Sequence, residues 1–130
     1  MKLFKFILLA IVSLLVLSCD SKKDMLMGEW RISNKYYKAH YLIKEENKET
    51  VGQVLYYNDG TTFYKFEGGE KRYTFKNLIK KDSLFVDGVT GATSASDDSN
   101  LSIKIVNETK LEVKKSVMNQ KVTEYWYKHK

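Results

Sequence analysis

The sequence predicts an all-β protein, an antiparallel up-and-down β-barrel of about eight strands that follows an N-terminal signal peptide. Short runs of alternating apolar and polar residues recur along the chain, as in Leu101–Ile105, and this period of two is typical of half-buried strands. The segments between the runs are short and polar, which favours antiparallel neighbours. Nine tyrosines, six phenylalanines and two tryptophans add residue types that strands prefer.

Residues 1–18 have the organisation of a signal peptide. Met1 to Lys5 is a basic start, and the twelve residues from Phe6 to Leu17 are apolar except for Ser13. A helix that spans a bilayer needs about 20 apolar residues. The run therefore has the length of a signal-peptide core and not that of a membrane span.

The apolar run ends on Val16-Leu17-Ser18-Cys19, with a small residue before the only cysteine. This ending resembles the lipobox of bacterial lipoproteins. The resemblance implies cleavage before Cys19, acylation of Cys19 (palmitate is one such acyl group), and a lipid anchor in the cell envelope. Residues 19–24 then form the lipidated cysteine and a polar tether, and residues 25–130 form the globular domain. The sequence is compatible with the inner and with the outer membrane.

The domain divides into short strands separated by polar turns. Asn58-Asp59-Gly60 is a strong hairpin signal, Glu45–Thr50 is a charged turn or loop, and Asp87–Asn100 is the longest stretch without regular structure. A short helix around Tyr36–Glu46 is the best helical candidate. The predicted strands are Glu29–Lys35, Tyr36–Lys44, Val51–Tyr57, Thr61–Phe66, Arg72–Ile79, Ser83–Val86, Leu101–Ile105, Leu111–Lys115 and Lys121–Lys128.

A meander of this kind has two free edges unless it closes, and closure into a barrel removes them. The barrel is therefore the predicted architecture, with a sandwich as the alternative. Gly28-Glu29-Trp30 resembles the Gly-x-Trp motif of lipocalins, and Tyr57-Asn58-Asp59-Gly60-Thr61 is similar to a turn of small lipocalin-like bacterial lipoproteins. The closing Tyr125-Trp126-Tyr127-Lys128 is similar to their last strand.

The lipocalin resemblance implies structural roles for Gly28 and Trp30. In that family the tryptophan packs across the closed end of the barrel and a basic residue stacks on it, a part that Lys128 or Arg72 would take here. The chain is shorter than a full lipocalin and lacks a cysteine pair. We therefore expect short strands and a shallow cavity.

The predicted interior is rich in aromatic side chains. Barrels of eight strands enclose packed side chains or one small ligand. We expect Tyr41, Tyr56, Phe63, Tyr73 and Trp126 to bind a small apolar or amphipathic ligand. The alternative is a filled barrel that acts as a protein-interaction or inhibitor module in the envelope. The residues predicted to face inward are these five with Trp30, Ile32, Phe75, Leu84, Val86, Ile103, Ile105 and Val113.

The sequence shows no pattern of catalytic, metal or cofactor chemistry. His40 and His129 are the only histidines, and no zinc spacing, phosphate loop or nucleophile elbow surrounds them or any serine. Without Lys2 and Lys5 of the leader, 20 basic residues face 16 acidic ones, a net charge of +4. These charges are spread out, whereas nucleic-acid binding needs a basic cluster. We expect a non-enzymatic protein with no metal, no cofactor and no nucleic-acid partner.

Overall fold

A computed structural model of the chain describes residues 22–88, 101–117 and 120–129. The predicted signal peptide, Cys19 and most of the predicted Asp87–Asn100 loop lie outside these residues. In the described part, helix α1 (Lys22–Leu26) precedes ten strands of one antiparallel sheet. The strands are β1 (Gly28–Ser33), β2 (Lys38–Glu46), β3 (Glu49–Asn58), β4 (Phe63–Lys65), β5 (Tyr73–Phe75), β6 (Leu78–Lys81), β7 (Leu84–Asp87), β8 (Leu101–Asn107), β9 (Lys110–Val117) and β10 (Gln120–Lys128).

The sheet is an up-and-down meander in which the first strand pairs with the last. β1 lies between β2 and β10, and the order on either side follows the chain. The sheet curls into a half-barrel, so the predicted all-β, barrel-like fold is confirmed. The helix end of the half-barrel carries α1 and the β2–β3 turn, and the opposite end carries the β1–β2 and β3–β4 turns.

The structure has ten strands where about eight were predicted, because the strand that follows β3 is divided into three short strands, β4, β5 and β6. β4 and β5 both pair antiparallel with β3, at different heights. When the antiparallel pairs are followed around the sheet, β6 runs in the same direction as β5, and only Lys76 and Asn77 separate the two. The predicted strand Arg72–Ile79 therefore pairs with β3 in its first part and with β7 in its second.

Two turns follow directly from their residues. The β2–β3 turn is Asn47-Lys48, and both have positive φ (53° and 67°), as a two-residue type I′ hairpin requires. The predicted Glu45–Thr50 loop is therefore only two residues long. The Asn58-Asp59-Gly60 hairpin is confirmed: Asp59 Oδ1 accepts the N–H groups of Thr61 (2.9 Å) and Thr62 (2.6 Å).

The concave face carries the hydrophobic core. Of the residues predicted to face inward, Trp30, Ile32, Tyr41, Phe75, Ile103, Val113 and Trp126 are buried there, and Ile105 packs against them. The prediction is wrong for Tyr56, Phe63, Tyr73, Leu84 and Val86, which lie on the outer face, as their cross-strand partners show. The remaining core residues are Leu26, Ala39, Ile43, Leu78, Phe85, Leu101 and Leu111.

A bulge in β3 explains the errors at Tyr56 and Phe63. His40 pairs with Tyr56 while Tyr41 pairs with Val54, so Leu55 is an extra residue in β3. Such a bulge moves every later side chain to the other face. Tyr57 therefore packs against the core in place of Tyr56.

At the helix end, α1 contacts the first strand, β1, which pairs with the last strand, β10. The indole N–H of Trp30 donates to Leu26 O at 2.8 Å, and Leu26 is fully buried. The ammonium of Lys128 lies 5.3 Å from the centre of the Trp30 ring, whereas Arg72 lies over the ring of Tyr64. The helical candidate at Tyr36–Glu46 is wrong, because β2 covers that segment and α1 begins inside the predicted tether.

Gly28 leaves room for Lys128 to lie over the Trp30 ring. Its φ is +122°, and a Cβ there would lie 3.1 Å from Lys128 Cε. Gly28→Ala should lower the free energy of unfolding by about 1–3 kcal/mol, because the backbone would be strained and Lys128 displaced from Trp30. Urea denaturation followed by tryptophan fluorescence measures this loss. Gly69, which has open space around its Cα, is the control: Gly69→Ala should change stability by less than about 0.5 kcal/mol. Equal effects of the two substitutions would contradict the assignment.

Candidate functional site

A charged cluster fills the interior of the half-barrel between Trp126 and the end that carries the β1–β2 turn. We call Tyr37, Lys115 and Glu124 the interior cluster. Glu124 Oε1 accepts hydrogen bonds from the Tyr37 hydroxyl (2.5 Å) and from Trp126 Nε1 (2.8 Å), and Lys115 Nζ lies 3.2 Å away. The side chain of Glu124 is only 7% exposed. The three donors compensate its carboxylate for the loss of contact with water.

Aromatic rings surround the ammonium of Lys115. Its Nζ lies 5.3 Å, 5.7 Å and 5.9 Å from the ring centres of Tyr37, Tyr41 and Trp126. Burial, together with neighbouring Tyr41 and Glu124, raises the pKa of Tyr37, and burial and Glu124 raise the pKa of Tyr41. Both phenols stay protonated at neutral pH. The cluster thus closes the interior with satisfied polar groups.

A pocket opens where the strand is broken. β3 and β6 approach each other beside α1 without forming a ladder between their described residues, and the space between them has a volume of about 300 Å³. We call this space the seam pocket. It has an apolar floor and a lysine rim. Its lining residues are Lys23, Leu26, Lys48, Thr50, Asn77, Leu78, Ile79, Lys80 and Phe85.

The lysines of the rim differ in their partners. Lys23 Nζ lies 2.7 Å from Glu45 Oε1, which also accepts the Thr50 hydroxyl at 2.8 Å. Hydrogen bonds from Lys23 and Thr50 hold the pKa of Glu45 below its usual value. Within the described part of the chain, Lys48 and Lys80 form no ion pair. The rim therefore offers two positive charges to an anion, above a floor suited to an apolar tail.

A second pocket, of about 410 Å³, lies largely on the outer face. Lys81, Lys115 and Lys121 each interact with other groups of the protein. Because these lysines are already engaged, the seam pocket is the stronger candidate. The lining of the second pocket is Lys81, Asp82, Ser83, Leu84, Val86, Ser102, Lys114, Lys115 and Lys121.

The five predicted ligand residues do not come together. Tyr41 and Trp126 are in contact in the core, with ring centres 4.8 Å apart. Tyr56 and Phe63 meet edge to face on the outer face at 5.7 Å. The Tyr73 hydroxyl donates to Glu46 at 2.6 Å. None of the five lines the seam pocket, and ligand binding by them stays a prediction.

Sequence reasoning did not find the rim residues Lys48, Asn77 and Lys80. One signal was present: Phe75 and Leu78 are three residues apart, and Lys76-Asn77 between them interrupts the period of two. That spacing marks the break from which the pocket arises.

Within the part of the chain that the structure describes, no group of three or more histidine, cysteine, aspartate or glutamate side chains is arranged to hold a metal ion. No helix among residues 22–88, 101–117 and 120–129 has the length and apolar character to cross a membrane. Comparison with protein-family models, curated proteins and solved structures finds no match to this chain.

Removal of the interior carboxylate tests the role of the interior cluster. Glu124→Gln should lower the free energy of unfolding by about 3 kcal/mol, because Lys115 would keep a half-buried charge without its counter-ion. The double variant Glu124→Gln/Lys115→Met removes that charge as well and should recover part of the loss. A thermodynamic cycle that includes Lys115→Met alone measures the coupling. Additive losses would show that the two charges do not stabilise each other.

Proposed function

We propose that this protein is a bacterial lipoprotein, anchored in the cell envelope through Cys19, whose β domain is a non-catalytic binding module for a small amphipathic ligand. The basic start, the apolar run and the small residue before Cys19 support the anchor. α1 begins at Lys22, three residues after Cys19. Three residues span at most about 10 Å. An anchor on Cys19 would therefore keep the helix end, with the seam pocket, close to the bilayer surface.

The seam pocket is the observation on which the ligand class rests. Its volume of about 300 Å³ is at the lower limit of small-molecule sites, which favours a ligand with one short chain. Leu78 and Phe85 would contact the chain, and Lys48 and Lys80 would bind an acidic head group. A pocket with an apolar floor and a few convergent polar groups is the usual form of such sites.

A non-catalytic role is consistent with the contacts of Glu124, a buried acidic residue. Glu124 is held by three donors and lines neither of the two pockets. Its contacts tie β9, β10 and the β1–β2 turn together. We therefore assign it a structural task.

Lipidation is tested by Cys19→Ala. The variant should stay unprocessed or leave the membrane fraction, and it should incorporate no labelled palmitate, because the thiol is the proposed site of acylation. Fractionation and metabolic labelling of the producing bacterium measure both effects. Ser21→Ala, two residues away, is the control and should behave as the native protein does. A normally processed, membrane-bound Cys19→Ala protein would refute the anchor.

Ligand binding is tested by titrating the full-length protein in a neutral detergent with dodecanoate and with uncharged 1-dodecanol. Trp30 should report binding by fluorescence, because its N–H bonds to Leu26, which lines the pocket. Dodecanoate should bind more tightly, and Lys48→Gln/Lys80→Gln should weaken it by at least about tenfold through the loss of two charged contacts.

Lys38→Gln/Lys104→Gln is the matched control, since both lysines are exposed and lie outside the pocket. Its affinity for dodecanoate should stay within about twofold of the native value. Equal binding by the control and the Lys48/Lys80 variant would contradict the pocket assignment. Failure of both probes to bind the native protein would favour the filled-barrel interaction module over the ligand-binding module.

A further inference from the structure

The outer face of the sheet carries a continuous row of paired side chains. Tyr127 pairs with Lys110 on one side and with Arg31 on the other, Arg31 pairs with His40, His40 with Tyr56, and Tyr56 with Lys65. Directly opposed residues of antiparallel strands share a face. We call these six residues the outer row: Lys110, Tyr127, Arg31, His40, Tyr56 and Lys65.

The outer row combines cationic and aromatic groups. With neighbouring strands about 4.8 Å apart, six strands span about 24 Å. Lys110 Nζ lies 5.8 Å from the Tyr127 ring centre, and the His40 and Tyr56 rings are 5.2 Å apart. Tyr127 is 51% exposed. The row therefore presents rings and charges along one line that crosses the strands.

The charges of the outer row are widely spaced. Burial and the nearby Arg31 lower the pKa of His40, so at neutral pH the permanent charges are Lys110, Arg31 and Lys65. By strand spacing, Arg31 is about 10 Å from Lys110 and about 14 Å from Lys65. A stacked nucleic-acid strand carries one phosphate about every 3.4 Å, which is a much higher charge density than this row could match.

We propose that the outer row binds a linear anionic polysaccharide in which acidic sugars alternate with neutral ones. The tyrosine rings would stack on the faces of the sugar rings, and their hydroxyl groups would bond to sugar hydroxyls. The lysines and Arg31 would pair with the sparse carboxylates. This surface is separate from the seam pocket, and its proposal does not depend on the lipid anchor or on the amphipathic ligand.

The contacts that the charges already make do not block such a ligand. Arg31 Nη2 lies 2.9 Å from His129 Nε2, a hydrogen bond in which the guanidinium is the donor and keeps its charge. Glu29 Oε2 lies 3.6 Å from the same nitrogen. Lys65 pairs with Glu67 only at 4.0 Å, and both side chains are mostly exposed. A bound carboxylate can replace a pair of that kind, since exposed pairs contribute little.

The test uses the full-length protein in neutral detergent and fluorescein-labelled oligosaccharides of equal length, followed by anisotropy. A hyaluronan decasaccharide has one carboxylate in every second sugar, and a dextran decasaccharide has none. Hyaluronan should bind, with an affinity that falls as salt rises, and dextran should bind at least about tenfold more weakly. Oligo(dT) of ten nucleotides is the third probe and should also bind more weakly than hyaluronan.

The outer-row variant Lys65→Gln/Tyr127→Ser should lose hyaluronan affinity by about tenfold or more. Lys104→Gln/Tyr36→Ser, which removes one exposed lysine and one exposed tyrosine outside the row, is the matched control and should lose less than about twofold. Circular dichroism confirms that both variants are folded. Equal losses in the two variants, equal binding of dextran, or no binding of hyaluronan would overturn the proposal. Tighter binding of oligo(dT) would assign the row to nucleic acid instead.

Discussion

The ring of Trp30 holds the first strand, the last strand and α1 together. Its N–H donates to Leu26 O, its face receives the ammonium of Lys128, and its side chain is fully buried. β1, which carries Trp30, is the strand at which the start and the end of the meander meet. The hydrogen bond to Leu26 O attaches α1 to β1, and Leu26 forms part of the wall of the seam pocket.

The interior cluster complements Trp30 at the other end of the core. Replacing a buried ion pair by apolar side chains is often neutral or stabilising, so Lys115 and Glu124 need a further physical explanation. A slip of one residue in the pairing of β10 would move Glu124 out of the interior and Tyr125 into it. The hydrogen bond from Tyr37 and the ion pair with Lys115 exist only in the observed register. The cluster therefore favours one pairing over its neighbours.

The all-β class, the hairpin at Asn58-Asp59-Gly60 and half of the buried core could be predicted, because period-two alternation and turn residues are local properties. The face of Tyr56 and Phe63 could not, because it depends on one extra residue, Leu55, that only the pairing of β2 with β3 reveals. The seam pocket could not be predicted either. It is built from α1, β3 and β6, which are distant in sequence. The spacing of Phe75 and Leu78 marks the break in the strand, but it does not show which elements line the resulting gap.

The two proposed sites use the sheet in opposite ways. Along the outer row, each residue is paired directly with its neighbour across six strands. This pairing aligns the charges and rings, and the bulge at Leu55 is what brings Tyr56 opposite His40. At the seam pocket, the chain pairs with β3 up to Phe75 and with β7 from Leu78 onward. β3 and β6 therefore form no ladder hydrogen bonds with each other. Local rules of folding are most often broken where a protein has a functional reason to break them. If β4, β5 and β6 were one unbroken strand, that strand would pair along the whole of β3 and leave no space between Thr50 and Lys80. The break at Lys76-Asn77 therefore creates the pocket.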